Sequence, residues 1–167
     1  KNHHLLCCRP PADIIFGRLM TIHLEKPHEV VEKWITQLNV GGLLILEELD
    51  QIQTSERLFQ KYLNLLERSL AVQDKTMFIG ATIASSEFDA ARIKMNRVRK
   101  VEVSARNAAE MFSMNMHTLQ KSATVRALYC DQEIGRFIAD LTHVADEEET
   151  TMEPVDWKLR QIVLQKT

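Results

Sequence analysis

Glycine and cysteine are scarce in this chain, and each shortage excludes something. Its 167 residues include five glycines and three cysteines. Cys7, Cys8 and Cys130 do not form a disulfide framework, since two of them are adjacent, and a reducing cytoplasm is the compartment they fit. Gly17, Gly41, Gly42, Gly80 and Gly135 nowhere gather into a loop that could cradle a phosphate. No apolar run approaches membrane-spanning length and the first residues carry no secretory signal, so neither a membrane nor export is expected. A formal net charge of −2 argues against a nucleic-acid partner recruited by bulk charge. A Ser–His–Asp pattern, a zinc-protease helix motif, internal repeats and low-complexity tracts are missing too. His3, His4, Cys7 and Cys8 could be read as a metal cluster. Structural zinc sites usually draw on two separated ligand pairs, however, and no second pair follows, so residues 1–11 read as an N-terminal arm and no metal is expected.

What is present is organised around residues 12–50. Ala12-Asp13-Ile14-Ile15-Phe16-Gly17 opens after Pro10-Pro11 as a short apolar run, the pattern of a buried strand. Leu43-Leu44-Ile45-Leu46 is apolar at every position, which suits a central strand of a parallel sheet covered on both faces. Between them Val30, Val31, Trp34, Ile35 and Leu38 fall on one helical face. Pro27 sits where a first turn tolerates it, and Gly41-Gly42 is read as the helix stop. A helical crossover of this length makes the two strands parallel neighbours.

Beyond this unit, residues 51–73 predict a helix capped by Thr54 or Ser55, with Leu58, Phe59, Tyr62, Leu63, Leu66 and Leu70 on a broad apolar face. Met77-Phe78-Ile79-Gly80 reads as strand-like or extended. Residues 85–100 are polar and basic, either a phosphate-binding patch or a solvated face. Val101-Glu102-Val103-Ser104 alternates as a strand with one wet side. Ala108, Phe112, Met116 and Leu119 then recur at helical spacing, with Met111 and Met114 adding adaptable apolar volume. Asp131 is read as the cap of a further amphipathic helix through Ile134, Phe137, Ile138, Leu141 and Val144, fading into the acidic loop Asp146-Glu147-Glu148-Glu149.

Three stretches resemble one family. Asp13-Ile14-Ile15-Phe16-Gly17-Arg18-Leu19-Met20-Thr21-Ile22-His23-Leu24 is similar to the fourth strand and following loop of class I S-adenosylmethionine-dependent methyltransferases. Gly41-Gly42-Leu43-Leu44-Ile45-Leu46-Glu47-Glu48-Leu49-Asp50 is similar to the fifth strand, and Trp157-Lys158-Leu159-Arg160-Gln161-Ile162-Val163-Leu164 to the last. The Gly-rich turn after the family's first strand and the ribose-binding acid after its second have no counterpart here. The resemblance therefore implies an α/β chain holding the carboxy-terminal half of the fold, strands four to seven of a Rossmann-like sheet with the last antiparallel. Residues 12–167 would form that portion of a methyltransferase-like domain. Only eleven residues precede Ala12 and the chain begins at Lys1, which fits a partial chain.

By the same resemblance Arg18, Leu19 and His23 would lie at the cofactor, S-adenosylmethionine, once the first half is supplied. Glu47, Glu48 and Asp50 end a strand at the carboxyl edge where open α/β sheets bind ligands, and one of them could position the acceptor or act as base. Methyl transfer needs alignment, a dry site and sometimes such a base, so no strong catalytic signature is required and no catalytic residue is assigned. Structural roles stand beside these: Arg18 could pair with Glu47 or Glu48, and His23 could cap the helix near Pro27. The implied function is methylation of a small or medium-sized molecule by an enzyme of which this chain is the carboxy-terminal portion, inactive alone. The alternative is a methyltransferase-like remnant that binds a partner chain. With no neighbour on its outer side, the strand from Asp13 to Gly17 is expected to pair with a second copy or with a chain carrying the first half.

Overall fold

The computed structural model describes residues 10–167. His3, His4, Cys7 and Cys8, and with them the metal-cluster reading, lie outside the described residues. The chain is α/β with a mixed four-stranded sheet, and it forms two compact units.

The first unit comprises residues up to Asp50, Phe78–Arg99 and Leu159–Thr167. Strand β1 (Ala12–Arg18) leads through a 3-10 turn (Thr21–His23) into helix α1 (Pro27–Thr36) and then strand β2 (Leu38–Gln53). Pro27 starts α1 with Glu29 in its first turn, and Val31 and Ile35 are buried from it. β1 and β2 are parallel, with Ile14 opposite Leu43 and Phe16 opposite Ile45. The sequence reading of a strand–helix–strand crossover is met.

The helix stop is different from the expected one. α1 ends at Thr36, where the Gln37 amide donates to the Trp34 carbonyl at 3.0 Å. Gly41 and Gly42 instead lie within β2, at a register irregularity: Ala12 partners Leu38, yet Ile14 partners Leu43. β1 advances two residues there while β2 advances five. Gly41 takes φ +81°, a left-handed value that suits glycine. At Gly42 a Cβ would come within 2.8 Å of the Asn39 carbonyl and 3.2 Å of two β1 carbonyls, so the backbones approach too closely for any side chain.

Met77 to Ile79 are irregular rather than a strand, and helix α3 (Gly80–Ser85) follows directly from them. Strand β3 spans Ala91–Val103 and strand β4 spans Val155–Lys166. The sheet order is β1-β2-β4-β3. Contacts from β4 descend along β2, with Arg160 meeting Asp50, Gln161 meeting Glu47 and Gln165 meeting Gly41, so β4 is antiparallel to it. The same descent runs along β3, from Arg160 at Asn96 to Thr167 at Ala90. The last strand is thus antiparallel to both neighbours, as the resemblance implied.

The core of this unit lies on one face of the sheet. Leu44, Leu46, Ile162 and Leu164 pack there with Val31 and Ile35 of α1 and Ile83 of α3, and Ile15 and Trp34 close over them. Side chains that alternate with these point the other way. Ile14 and Phe16 are 60% and 62% exposed, and Leu43 and Ile45 are half-buried. The expected covering of both faces is therefore not seen at the β1 edge among the described residues. β3 was read only from Val101 to Ser104. It is a long edge strand with both sides mostly wet: Ala91, Ile93 and Met95 do alternate with Arg92, Lys94 and Asn96, but the basic residues around them give the stretch the composition of a solvated face.

The second unit comprises Gln51–Met77 and Lys100–Lys158. Helix α2 (Arg57–Ala71) begins later than expected because Gln51 to Gln53 continue a strand, and the Thr54 hydroxyl accepts from the Glu56 amide at 3.1 Å just ahead of it. Helix α4 (Ala105–Leu119) is capped by Ser104, α5 (Ala123–Leu128) by Ser122, and α6 (Asp131–Asp146) follows Cys130 rather than taking Asp131 as cap. The short α5 has too few residues to show a period. Phe59, Tyr62 and Phe112 form the aromatic centre, with Tyr62 stacked on Phe112 at 4.1 Å between centroids. Met116 is buried beside them in sequence, whereas Met114 is exposed. No described helix is long and apolar enough to cross a membrane.

Candidate functional site

Parallel pairing brings the carboxyl ends of β1 and β2 together within the first unit. Arg18 is the register partner of Glu47. The next residue, Leu19, donates its amide to the Glu47 carbonyl at 2.9 Å while adopting φ +51°. A leucine in the left-handed region costs about 1–2 kcal/mol, so the surrounding bonds must hold it there. The chain then turns through Thr21–His23, where the His23 and Leu24 amides donate back to the Met20 and Thr21 carbonyls.

Glu47 and Glu48 point to opposite faces of β2, as successive strand residues must. The Glu47 carboxylate is buried and gathers three partners. Arg18 Nε lies 3.0 Å from Oε1, Gln161 Nε2 donates to Oε2 at 2.7 Å, and an Arg99 guanidinium nitrogen stands 3.9 Å from Oε2. Both arginines are about half exposed, so the ion pairs themselves contribute little to stability, of order 0–1 kcal/mol each. Arg18 thus takes the structural partner weighed for it, Glu47 rather than Glu48.

Glu48 is fully buried on the core side. Its Oε1 accepts the Met20 amide at 3.2 Å and the Thr21 amide at 3.1 Å. Its Oε2 and the Thr21 hydroxyl are both buried and make no hydrogen bond of good geometry, although the hydroxyl lies close enough to the carboxyl to pull on it. Burial pushes the Glu48 carboxyl above its usual range, against the opposing pull of the Thr21 and Met20 donors and of nearby His23. Two residues on, Asp50 is gripped by Arg160, Nε to Oδ1 at 2.6 Å and a second guanidinium nitrogen to Oδ2 at 3.1 Å. Arg160 also donates to Asn96 Oδ1 at 2.8 Å.

The six residues singled out in the sequence therefore fall in one region. Arg18 ends β1, Leu19 and His23 lie on the turn after it, and Glu47, Glu48 and Asp50 lie on the adjoining end of β2. His23 does not cap α1, whose N-cap is Lys26. Arg160, Gln161 and Arg99 were not anticipated as members. Their pairing depends on the antiparallel register of β4 and β3, which no local motif encodes. Chemically, the region offers one buried carboxyl shifted by burial towards its neutral form, one buried acid held by two arginines and a glutamine, and a strained turn beside them. No group of three His, Cys, Asp or Glu that could hold a metal occurs among the described residues.

No protein-family model matches the chain, and no curated protein matches its sequence. Solved structures do resemble it. One is a protein of Bacillus halodurans assigned as a methyltransferase, 12% identical over 92% of this chain and 63% of that one, TM-score 0.46. Another is phosphoethanolamine N-methyltransferase 2 of Haemonchus contortus, in complex with phosphomonomethylethanolamine and S-adenosylhomocysteine, 11% identical over 92% of this chain and 33% of that one, TM-score 0.38. A third is coclaurine N-methyltransferase bound to N-methylheliamine and S-adenosylhomocysteine, 13% identical over 95% of this chain and 49% of that one, TM-score 0.41. The chain spans 33% to 63% of the length of these proteins.

Proposed function

We propose that this chain is the carboxy-terminal portion of an S-adenosylmethionine-dependent methyltransferase acting on a small or medium-sized acceptor. The observation that carries the reading is the parallel β1–α1–β2 unit, whose strand ends bring the turn at residues 18–23 beside Glu47 and Glu48. The antiparallel last strand supports it. Parallel α/β sheets take ligands at this carboxyl edge. The bound cofactor would supply an electrophilic methyl group. The residues here fit one end of such a ligand only: Arg18, Leu19 and His23 on the turn would meet it, while the Gly-rich turn and the ribose acid have no counterpart in the sequence.

Glu47, Glu48 and Asp50 form the acceptor side of this reading. Each already holds a neighbouring group, so direct contact with an acceptor means exchanging a partner. Glu47 is the best placed to do so, because its arginine partners are half exposed. A second reading, a methyltransferase-like remnant that binds a partner, is favoured by one observation, the exposed apolar edge at Ile14 and Phe16. In either case the partner would be a second copy or a chain bearing the first half, meeting the strand from Asp13 to Gly17. The cysteines suit a cytoplasmic setting.

Calorimetry with S-adenosylhomocysteine tests the reading. The 167-residue chain should give no saturable heat at micromolar ligand, whereas a form carrying a Gly-rich first half should bind. In that form Arg18→Ala and His23→Ala should weaken binding while leaving the urea midpoint nearly unchanged. Loss of folding with unchanged affinity per folded molecule would assign both residues to structure alone.

A further inference from the structure

Glu48 is a buried acid whose oxygens do unequal work. Oε1 takes the Met20 and Thr21 amides, and Leu19 just before them is held at φ +51° by its own bond to the Glu47 carbonyl. The amides of residues 19, 20, 21, 23 and 24 are thus all engaged within the unit. We infer that Glu48 is a positioning residue that draws the Met20 and Thr21 amides into the sheet, so that this turn meets a ligand through side chains and carbonyl oxygens rather than as an amide cradle for an anion.

This rests on the methyltransferase reading only for what the turn serves. A phosphate or carboxylate at a turn is normally held by backbone N–H groups pointing outward. Here the protein's own carboxyl already occupies that role from the inside. Glu48 is separated from the charges of Glu47, Arg18 and Arg99, which lie on the opposite face of β2. On its own face it meets His23 from the turn, and the Asp50–Arg160 pair follows along the strand. Alanine at position 48 would leave the two backbone amides without their acceptor, whereas glutamine keeps a side-chain oxygen that can take both.

Amide hydrogen exchange on the uniformly labelled 167-residue chain tests this. Glu48→Ala should raise exchange at Met20 and Thr21 by about tenfold or more, with Leu44 and Leu46 amides in β2 still protected. Glu48→Gln should retain the wild-type protection at both. Adding inorganic phosphate to the wild type should leave the Met20 and Thr21 resonances in place. Unchanged exchange in Glu48→Ala, exchange raised equally in Glu48→Gln, or phosphate-dependent shifts at those two amides would each overturn the proposal. Should Glu48→Ala fail to fold, the Glu48→Gln and phosphate arms still decide it. Titration of the same sample with S-adenosylhomocysteine bears only on the cofactor reading, so the two can fail separately.

Discussion

Arg160 holds Asp50 through two parallel bonds, 2.6 Å and 3.1 Å long, and thereby ties the middle of β4 to the end of β2. Both side chains are less than one-fifth exposed, so the pair is shielded from water and removal of one partner strands the other. Arg160→Ala is expected to destabilise the fold by about 2–3 kcal/mol, the range for losing hydrogen bonds to a charged group. Urea unfolding checks this. A midpoint within error of the wild type would mean that Asp50 finds equal solvation without its partner.

Glu48 gives the stability a pH dependence of unusual sign for an acid. Burial raises its folded-state pKa, so folding favours the protonated form. Its contribution is full below the unfolded carboxylate value and is lost as pH rises through the folded value. Glu48→Gln mimics the neutral acid and removes that loss. Relative to the wild type the variant should gain stability as pH rises from the unfolded carboxyl value through the folded one and then level off, read as urea midpoints over a pH series. A difference that does not vary with pH would contradict this.

The exposed edge of β1 makes a prediction about assembly. Ile14 and Phe16 face water on a strand that carries no lysine or proline within its run. Light scattering over a dilution series should show association that Phe16→Lys abolishes, with the circular dichroism spectrum unchanged. A monomer at tens of micromolar in the wild type, with the β1 amides protected from exchange, would rule out pairing along this edge.

In the second unit the stacked pair Tyr62 and Phe112 is fully enclosed. Phe112→Ala should cost about 3–5 kcal/mol, and Phe112→Leu less than that because most of the volume is kept while the ring contacts are lost. Burial pushes the Tyr62 hydroxyl up to about 12, although the Asn115 amide donates to it at 3.0 Å and pulls the other way. Ultraviolet titration should therefore find one of the two tyrosines silent until about pH 12. Tyr62→Phe should remove that late step.

The legibility of the sequence followed local pattern. Leu43 to Leu46, the helix face of Val31 and Ile35 and the last strand could be read because burial dictates an unbroken or periodic apolar signal. The start of β3 was passed over although Ala91, Ile93 and Met95 alternate with polar residues, because the density of Arg and Lys there matches a solvated face equally well and the edge position leaves Ile93 and Met95 exposed. Gly41-Gly42 was misread because a glycine pair marks a helix end and a strand irregularity equally well, and only the register separates them. The same division holds for the site. Arg18 and the acids of β2 stood out locally, but Glu47 finds Gln161 at a separation of 114 residues and Asp50 finds Arg160 at 110. Such pairs are created by strand register, and nothing near either residue announces them.

The irregularity at Gly41 and Gly42 bears on how β1 can be threaded. Two residues of β1 are spanned there by five of β2, so the strands fit together like a key with one notch. Sliding β1 by a single position would carry Ile14 and Phe16 to the core side and turn Ile15 outward. It would also set the notch against the regular part of its neighbour, where no gap receives it. The glycine pair therefore gives the native alignment a backbone shape that a shifted pairing does not match, in addition to the in-and-out order of Ile14, Ile15 and Phe16.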